Sequence, residues 1–205
     1  QAVVSSANLI KTRLISSWDQ IEKNVKDGLA TLLKKLDPLV VDQISKDLYS
    51  EKEQNRLRVL QVLGLLGQDE KIKQAVSRLL TESDERLRAT AVSILKRMMN
   101  EKDLSLIYRV LQDGDPRVRA NGVEVLEVVG SKNAVATLLK MRTDTNNRVR
   151  GNVIKALYSL GYKEIVNDLK GMLDHRERLM RATAGWVLGE VGKSQEAIFL
   201  DLIGE

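Results

Sequence analysis

Four arginines recur at one fixed interval of 31 residues, at Arg88, Arg119, Arg150 and Arg181, and Arg86, Arg117 and Arg148 stand two positions before the first three. A regular row of guanidinium groups could follow a phosphate backbone, since each offers a planar fork of donors and each neutralised phosphate releases counterions. The same row has a second use. Each arginine lies four residues after Asp84, Asp115, Asn146 or Glu177, so it can pair with acids and helix ends of its own or a neighbouring segment. Residues identical in every segment serve what every segment shares, which is stacking. The structural use is therefore the preferred reading, with a nucleic-acid-binding array as the alternative.

Catalytic chemistry is poorly supplied. The chain has no cysteine, which removes disulfides, thiol catalysis and thiolate metal sites. The one histidine, His175, stands between Asp174 and Arg176 in a stretch read as a turn, the setting of a solvated loop residue rather than a general base. Gly64 and Gly67 in VLGLLGQ have no strand before them and no lysine after them, as a phosphate loop requires. No catalytic, metal or cofactor site is expected, and the chain reads as non-enzymatic.

The elements that position these residues follow from the repeat itself. The stretch DERLRATAVSILKRMM from Asp84 returns as DPRVRANGVEVLEVVG from Asp115, NNRVRGNVIKALYSLG from Asn146 and, more loosely, ERLMRATAGWVLGEVG from Glu177. Asp84, Asp115 and Asn146 can satisfy free amides at a helix start. Ala89, Ala120, Gly151 and Ala182 are small, Leu95, Leu126, Leu157 and Leu188 are invariant, and Gly130, Gly161 and Gly192 end the helices, with Met99 the exception. A second helix follows in each segment, with Ile107, Leu138, Leu169 and Leu200 as one of its apolar columns. Two helices with one apolar stripe each cannot bury a core alone, so the hairpins must stack.

Composition agrees: 43% hydrophobic and 30% charged residues suit a globular helical protein, and no apolar run approaches the ~18 residues of a membrane span. A net charge of +5 permits an acidic partner without requiring one. The chain starts at Gln1, which reads as a processed product or excised domain, and the cytoplasm is the expected compartment. Before the regular repeats, residues 1–16 form one amphipathic helix. Ser17 with Gln20 is a capping-box arrangement expected to open a second helix running to Leu36, with Trp18, Ile21, Val25, Leu29, Leu32, Leu33 and Leu36 as its stripe. Asp37-Pro38 is expected to start a third, with Leu39, Val40, Ile44 and Leu48 inward. Ser50 with Glu53 opens the next helix, and Gly67 ends it. Residues 1–50 read as N-terminal helices with a divergent first repeat, and 51–205 as regular repeats, together one all-α solenoid over 1–205.

The run D-x-R-V-R followed by small residues, leucine and a terminal glycine resembles the short bacterial type of HEAT-like repeat, first described in phycobilisome lyase subunits. The resemblance covers residues 51–205. It implies a right-handed superhelix in which the second helices line a concave, usually protein-binding, surface; it does not imply lyase activity, since such arrays host many functions.

Recognition is then expected where repeats differ. On the outer side of the second helices these positions include Arg78, Tyr108, Arg109, Lys140 and Lys170. At the C-terminal end, Trp186 occupies a column otherwise held by Ser93, Glu124 and Lys155, and Ile198, Phe199 and Leu202 make the last helix apolar nearly all round. A helix of that kind needs cover on more than one side. The expected partner is a protein or a neighbouring domain, with self-association through the C-terminal end as a further possibility; nucleic acid ranks lower.

Overall fold

The computed structural model describes residues 2–49 and 53–192; Ser50, Ile198, Phe199, Leu200 and Leu202, singled out above, lie outside the described residues. Among those described there are twelve α-helices and no strand. They group into two compact units, residues 1–98 and 99–205.

The first unit holds α1 (Ala2–Ser16), α2 (Lys23–Leu36), α3 (Val40–Asp47), α4 (Glu53–Leu65), α5 (Glu70–Ser77) and α6 (Glu85–Leu95). Helices α4 and α6 lie side by side, α5 packs on α6, and α1 packs on α2 and α4. The apolar residues that meet there, Leu14, Leu33, Ile44, Leu60, Leu63 and Ile72, are fully buried. Gly67 ends α4 at φ +113°, a conformation that favours glycine.

Two expectations near the N-terminus are corrected. Helix α2 starts at Lys23, because the Ser17 amide still bonds to the Arg13 carbonyl at 3.0 Å and completes the last turn of α1. Ser17 is not extended, as an N-cap must be, and its side chain caps nothing; a single 3-10 turn, Trp18–Gln20, intervenes. Leu39 points outward rather than inward, while Val40, Ile44 and Leu48 are buried as expected. The cause is Asp37, whose carboxylate accepts the Leu39 amide and the Gln43 side chain, both at 2.9 Å, so Pro38 and Leu39 form a turn and α3 begins at Val40. Val25 and Leu32 of α2 are also exposed.

The second unit holds α7 (Leu104–Val110), α8 (Pro116–Val129), α9 (Val135–Met141), α10 (Asn147–Ser159), α11 (Val166–Leu173) and α12 (Arg178–Gly192). Helices α8, α10 and α12 lie side by side, while α7 packs on α8, α9 on α10 and α11 on α12. Each second helix, α7, α9 and α11, is entered through one 3-10 turn. The recurring leucines Leu126 and Leu157 are fully buried, as are Ile154 and Leu169. Gly130 and Gly161 stop their helices at φ +68° and +87°. Gly151 is needed for close approach: a Cβ there would stand 2.5 Å from Thr183 Cγ2 of α12. The fold is thus all-α, built from stacked helical hairpins.

Candidate interaction surfaces

The repeated polar residues are consumed inside the repeats. Asp84 Oδ1 accepts the amides of Arg86 and Leu87, Asp115 Oδ1 those of Arg117 and Val118, and Asn146 Oδ1 those of Arg148 and Val149, so each caps its helix as its residue type predicts. Glu177 is placed differently: its own amide donates to His175 Nδ1 at 3.1 Å.

The arginine row serves the turns. Arg88 Nη1 donates to the carbonyls of Glu82 and Ser83, both at 2.8 Å, and Arg119 Nη1 to those of Asp113 and Gly114 at 2.9 and 3.1 Å. Arg181 Nη1 does the same with His175 and Arg176, both at 2.8 Å. One guanidinium thereby ties two carbonyls of the turn that precedes its helix. Arg119 also turns its other edge to the next repeat, where Nε and Nη2 each meet an Asp144 oxygen at 2.9 Å. Burial pushes the Asp144 carboxyl up, but the hydrogen bonds from Arg119 and the Asn146 amide and the charges of Arg119 and Arg150 outweigh it, leaving the group below its ordinary value.

Two residues complete this pattern from outside the expected row. Arg56 donates Nε to the Leu48 carbonyl at 2.7 Å and Nη2 to Glu82 at 2.7 Å, and so makes the earlier rung of the ladder. Its column is obscured because the interval from this helix to the next first helix is one residue longer: Arg56 stands 32, not 31, before Arg88, as Leu63 stands 32 before Leu95. His175 takes the turn position of Asp113 and Asp144, whose Oδ1 atoms accept the amides of Asp115 and Asn146. The imidazole reproduces that turn bond, yet it offers no carboxylate to the arginine before it. Arg150 Nε is buried without a hydrogen-bond partner.

The accompanying arginines are more exposed and also engaged. Arg117 meets Asp115 at 2.9 Å, which, ahead of all other influences, holds the Asp115 carboxyl below its ordinary value. Arg148, whose cap is the neutral Asn146, reaches back instead to Asn121 at 3.0 Å and Glu124 at 3.5 Å.

Of the residues expected to recognise a partner, Arg109, Lys140 and Lys170 are exposed on α7, α9 and α11 of the second unit, beside exposed Ser105, Ala136, Asn167 and Gly171. Tyr108 is half-buried and its hydroxyl reaches the Asn133 carbonyl at 3.5 Å. Arg78 is exposed in the first unit. Trp186 does not join the second-helix group. It lies on α12, 44% exposed, with Lys155 of α10 5.9 Å from its ring centre.

Around Trp186 the structure shows a cleft of about 390 Å³ between α8, α10 and α12, lined also by Leu179, Thr183, Asn147, Arg148 and Asn152. Leu179 is not among the residues expected above, yet the sequence carries its signal: it stands in the column of Arg86, Arg117 and Arg148. A comparable cleft of about 400 Å³ in the first unit is lined by Trp18, Gln61, Leu65, Thr90, Ile94 and Arg97, with Lys26 4.3 Å from the Trp18 ring centre. No cluster of metal-ligating side chains occurs among the described residues. Nor is any of their helices long and apolar enough to cross a membrane.

Stacked hairpins with internal cap, arginine and leucine columns define an α-solenoid. The model of the HEAT-repeat family matches residues 38–127 and 105–189, and the chain belongs to that family. No curated protein sequence matches it. Among solved structures, the complex of CpcE and CpcF of phycocyanin lyase from Nostoc sp. PCC7120 is similar at 20% identity and a TM-score of 0.59, over 91% of this chain and 77% of that one. An engineered protein solved by a structural genomics consortium is similar at 17% identity and a TM-score of 0.50, over 94% of this chain and 97% of that one. At these identities the likeness concerns the fold.

Proposed function

We propose that this chain is a non-enzymatic protein-interaction module that engages a partner protein or neighbouring domain through the exposed side of its second helices. The observation that carries the reading is a division of labour. Of the residues that repeat, Arg88, Arg119 and Arg181 are bonded into turns and Asp84, Asp115 and Asn146 into caps, whereas the exposed second-helix positions differ from repeat to repeat and hold Arg109, Lys140 and Lys170. Tyr108 adds an aromatic ring with a polar tip, the type of residue enriched where proteins meet. Membership of the HEAT-repeat family supports the reading, since scaffolds of stacked hairpins present extended binding surfaces. The lyase-complex likeness supports a protein partner, because that structure is itself a complex of two named chains. Lyase activity does not follow from it.

The test uses the full chain as bait in a pulldown from extract of its source cells. Arg109→Glu with Lys140→Glu should abolish capture while far-UV circular dichroism stays unchanged. Undiminished capture by that variant refutes the second-helix face, and salt-sensitive retardation of duplex or single-stranded nucleic acid lost in the same variant replaces the protein partner with nucleic acid.

A further inference from the structure

The cleft between α8, α10 and α12 departs from the repeat in three places at once. Leu179 replaces the arginine of earlier segments, Trp186 replaces Ser93, Glu124 and Lys155, and Asn146 replaces the cap aspartates Asp84 and Asp115. The first two changes turn an outer helix face from charged to apolar. With Ala182 and Thr183 between them, Leu179 and Trp186 share one side of α12 at spacings of three and four. Leu179 is 68% exposed, so two large apolar groups face solvent beside a concavity large enough for one or two side chains.

The third change sets the charge. Arg117 is matched by its own cap, but Arg148 is capped by an amide and stays 54% exposed at the rim. Glu124, the acid of this cleft, is 25% exposed and accepts from Asn152 at 3.0 Å. The accessible charge is therefore the guanidinium, which is engaged through Nη2, at 3.0 Å by Asn121 and at 3.5 Å by Glu124, the latter longer than a charge-assisted bond. Lys155 is already paired with Glu127 at 2.9 Å. The walls are fixed: Asn147 donates to Thr183 Oγ1 at 2.7 Å, and Asn152 to the Ala120 carbonyl at 3.1 Å.

We infer that this cleft is a second binding site, distinct from the second-helix face, for a protein segment that places an apolar side chain next to a carboxylate. The apolar group fills the space against Leu179 and Trp186, and the carboxylate takes the free edge of Arg148.

The probe is a fluorescein-labelled peptide alternating aspartate with phenylalanine and leucine, titrated against the full chain by anisotropy. Its counterpart carries lysine for aspartate. Saturable binding of the acidic peptide is expected, with the lysine peptide weaker by about tenfold or more, the loss typical of one central contact. Leu179→Arg with Trp186→Lys restores the residues of the preceding repeat, so it should keep the helical signal and lose binding by about tenfold or more. Arg148→Gln should abolish the preference for the acidic peptide, and Arg109→Ala should leave binding in place. The inference is overturned by absent saturation, by equal binding of the two peptides, or by unchanged binding in the double variant. It is also overturned by equal loss in Arg109→Ala, or by a concentration-dependent dimer, seen by light scattering, that Trp186→Lys dissolves; the last places a second copy on this face.

Discussion

Replacing His175 by aspartate should stabilise the protein, because it supplies the carboxylate that the Arg150 rung lacks. In the rung before it, Asp144 does two things: Oδ1 accepts the Asn146 amide at 2.9 Å, and both oxygens meet Arg119 at 2.9 Å. His175 does the first for the Glu177 amide, and Arg150 Nε is left buried and unpaired. A buried donor without a partner costs about 1–3 kcal/mol, and a hydrogen bond to a charged group contributes about 1.5–3 kcal/mol. The Arg119–Asp144 side chains keep 16% and 12% of their surface, so solvent screens part of the gain. Losing the imidazole contacts subtracts more. The net expectation is about 1–2 kcal/mol, which for a chain of this size raises Tm by about 2–8 °C.

The assay is thermal unfolding at neutral pH followed by circular dichroism, run as a double-mutant cycle with Arg150→Met. Methionine keeps an apolar stem in place of the buried guanidinium. If the reasoning holds, the gain from His175→Asp disappears in the Arg150→Met background, giving a coupling of about 1 kcal/mol or more. An unchanged or lowered Tm in His175→Asp refutes it. An equal gain in both backgrounds also refutes it, since the effect would then come from lowering the net charge of +5.

Two further predictions concern the same stacking seam. Gly151→Ala should lower stability by about 1–3 kcal/mol through overpacking, despite gaining about 1 kcal/mol in helix propensity, because Thr183 is pinned by bonds to the Leu179 carbonyl and Asn147; adding Thr183→Ser, which removes only Cγ2, should recover most of the loss in chemical denaturation. Asp144 is depressed in the folded state, so its contribution is complete above the unfolded value of about 4 and fades as pH falls through the folded value; Asp144→Asn should be less stable than the parent at pH 7 and converge with it in acid, and parallel acid-unfolding curves would refute this.

The repeated half of the fold was legible because each segment states the same instructions in the same order. A cap residue, an arginine four positions on, a buried leucine and a closing glycine leave little freedom for Pro116–Val129 or Asn147–Ser159. The N-terminal helices were less legible for a physical reason. Ser17 has a capping residue type, but whether it caps depends on its backbone, and the end of α1 claims it first. Val25 and Leu32 read as core from their spacing; spacing shows which face is apolar, not whether anything covers it. Arg56 is hidden by the extra residue in the interval that separates it from Arg88. The cleft was hidden because its walls come from three helices separated by whole repeats.

Constant and variant columns of the repeat have different physical roles. In the constant column, three of the four arginines are bonded to what every repeat contains, the turn carbonyls under Arg88, Arg119 and Arg181. Each of these three guanidinium groups is oriented by its own turn and is a poor candidate for reading a ligand. A departure can remove a partner, as at Arg150, or remove a charge from an outer face, as at Leu179 and Trp186. The two outcomes have different energetic signs. A lost internal partner destabilises the repeat and should be reversible with a gain in Tm, whereas an apolar group placed in solvent gains little for the free fold and is repaid when a partner covers it. Restoring the column residue therefore separates the cases: His175→Asp should raise stability, while Leu179→Arg with Trp186→Lys should leave stability nearly unchanged and cost binding.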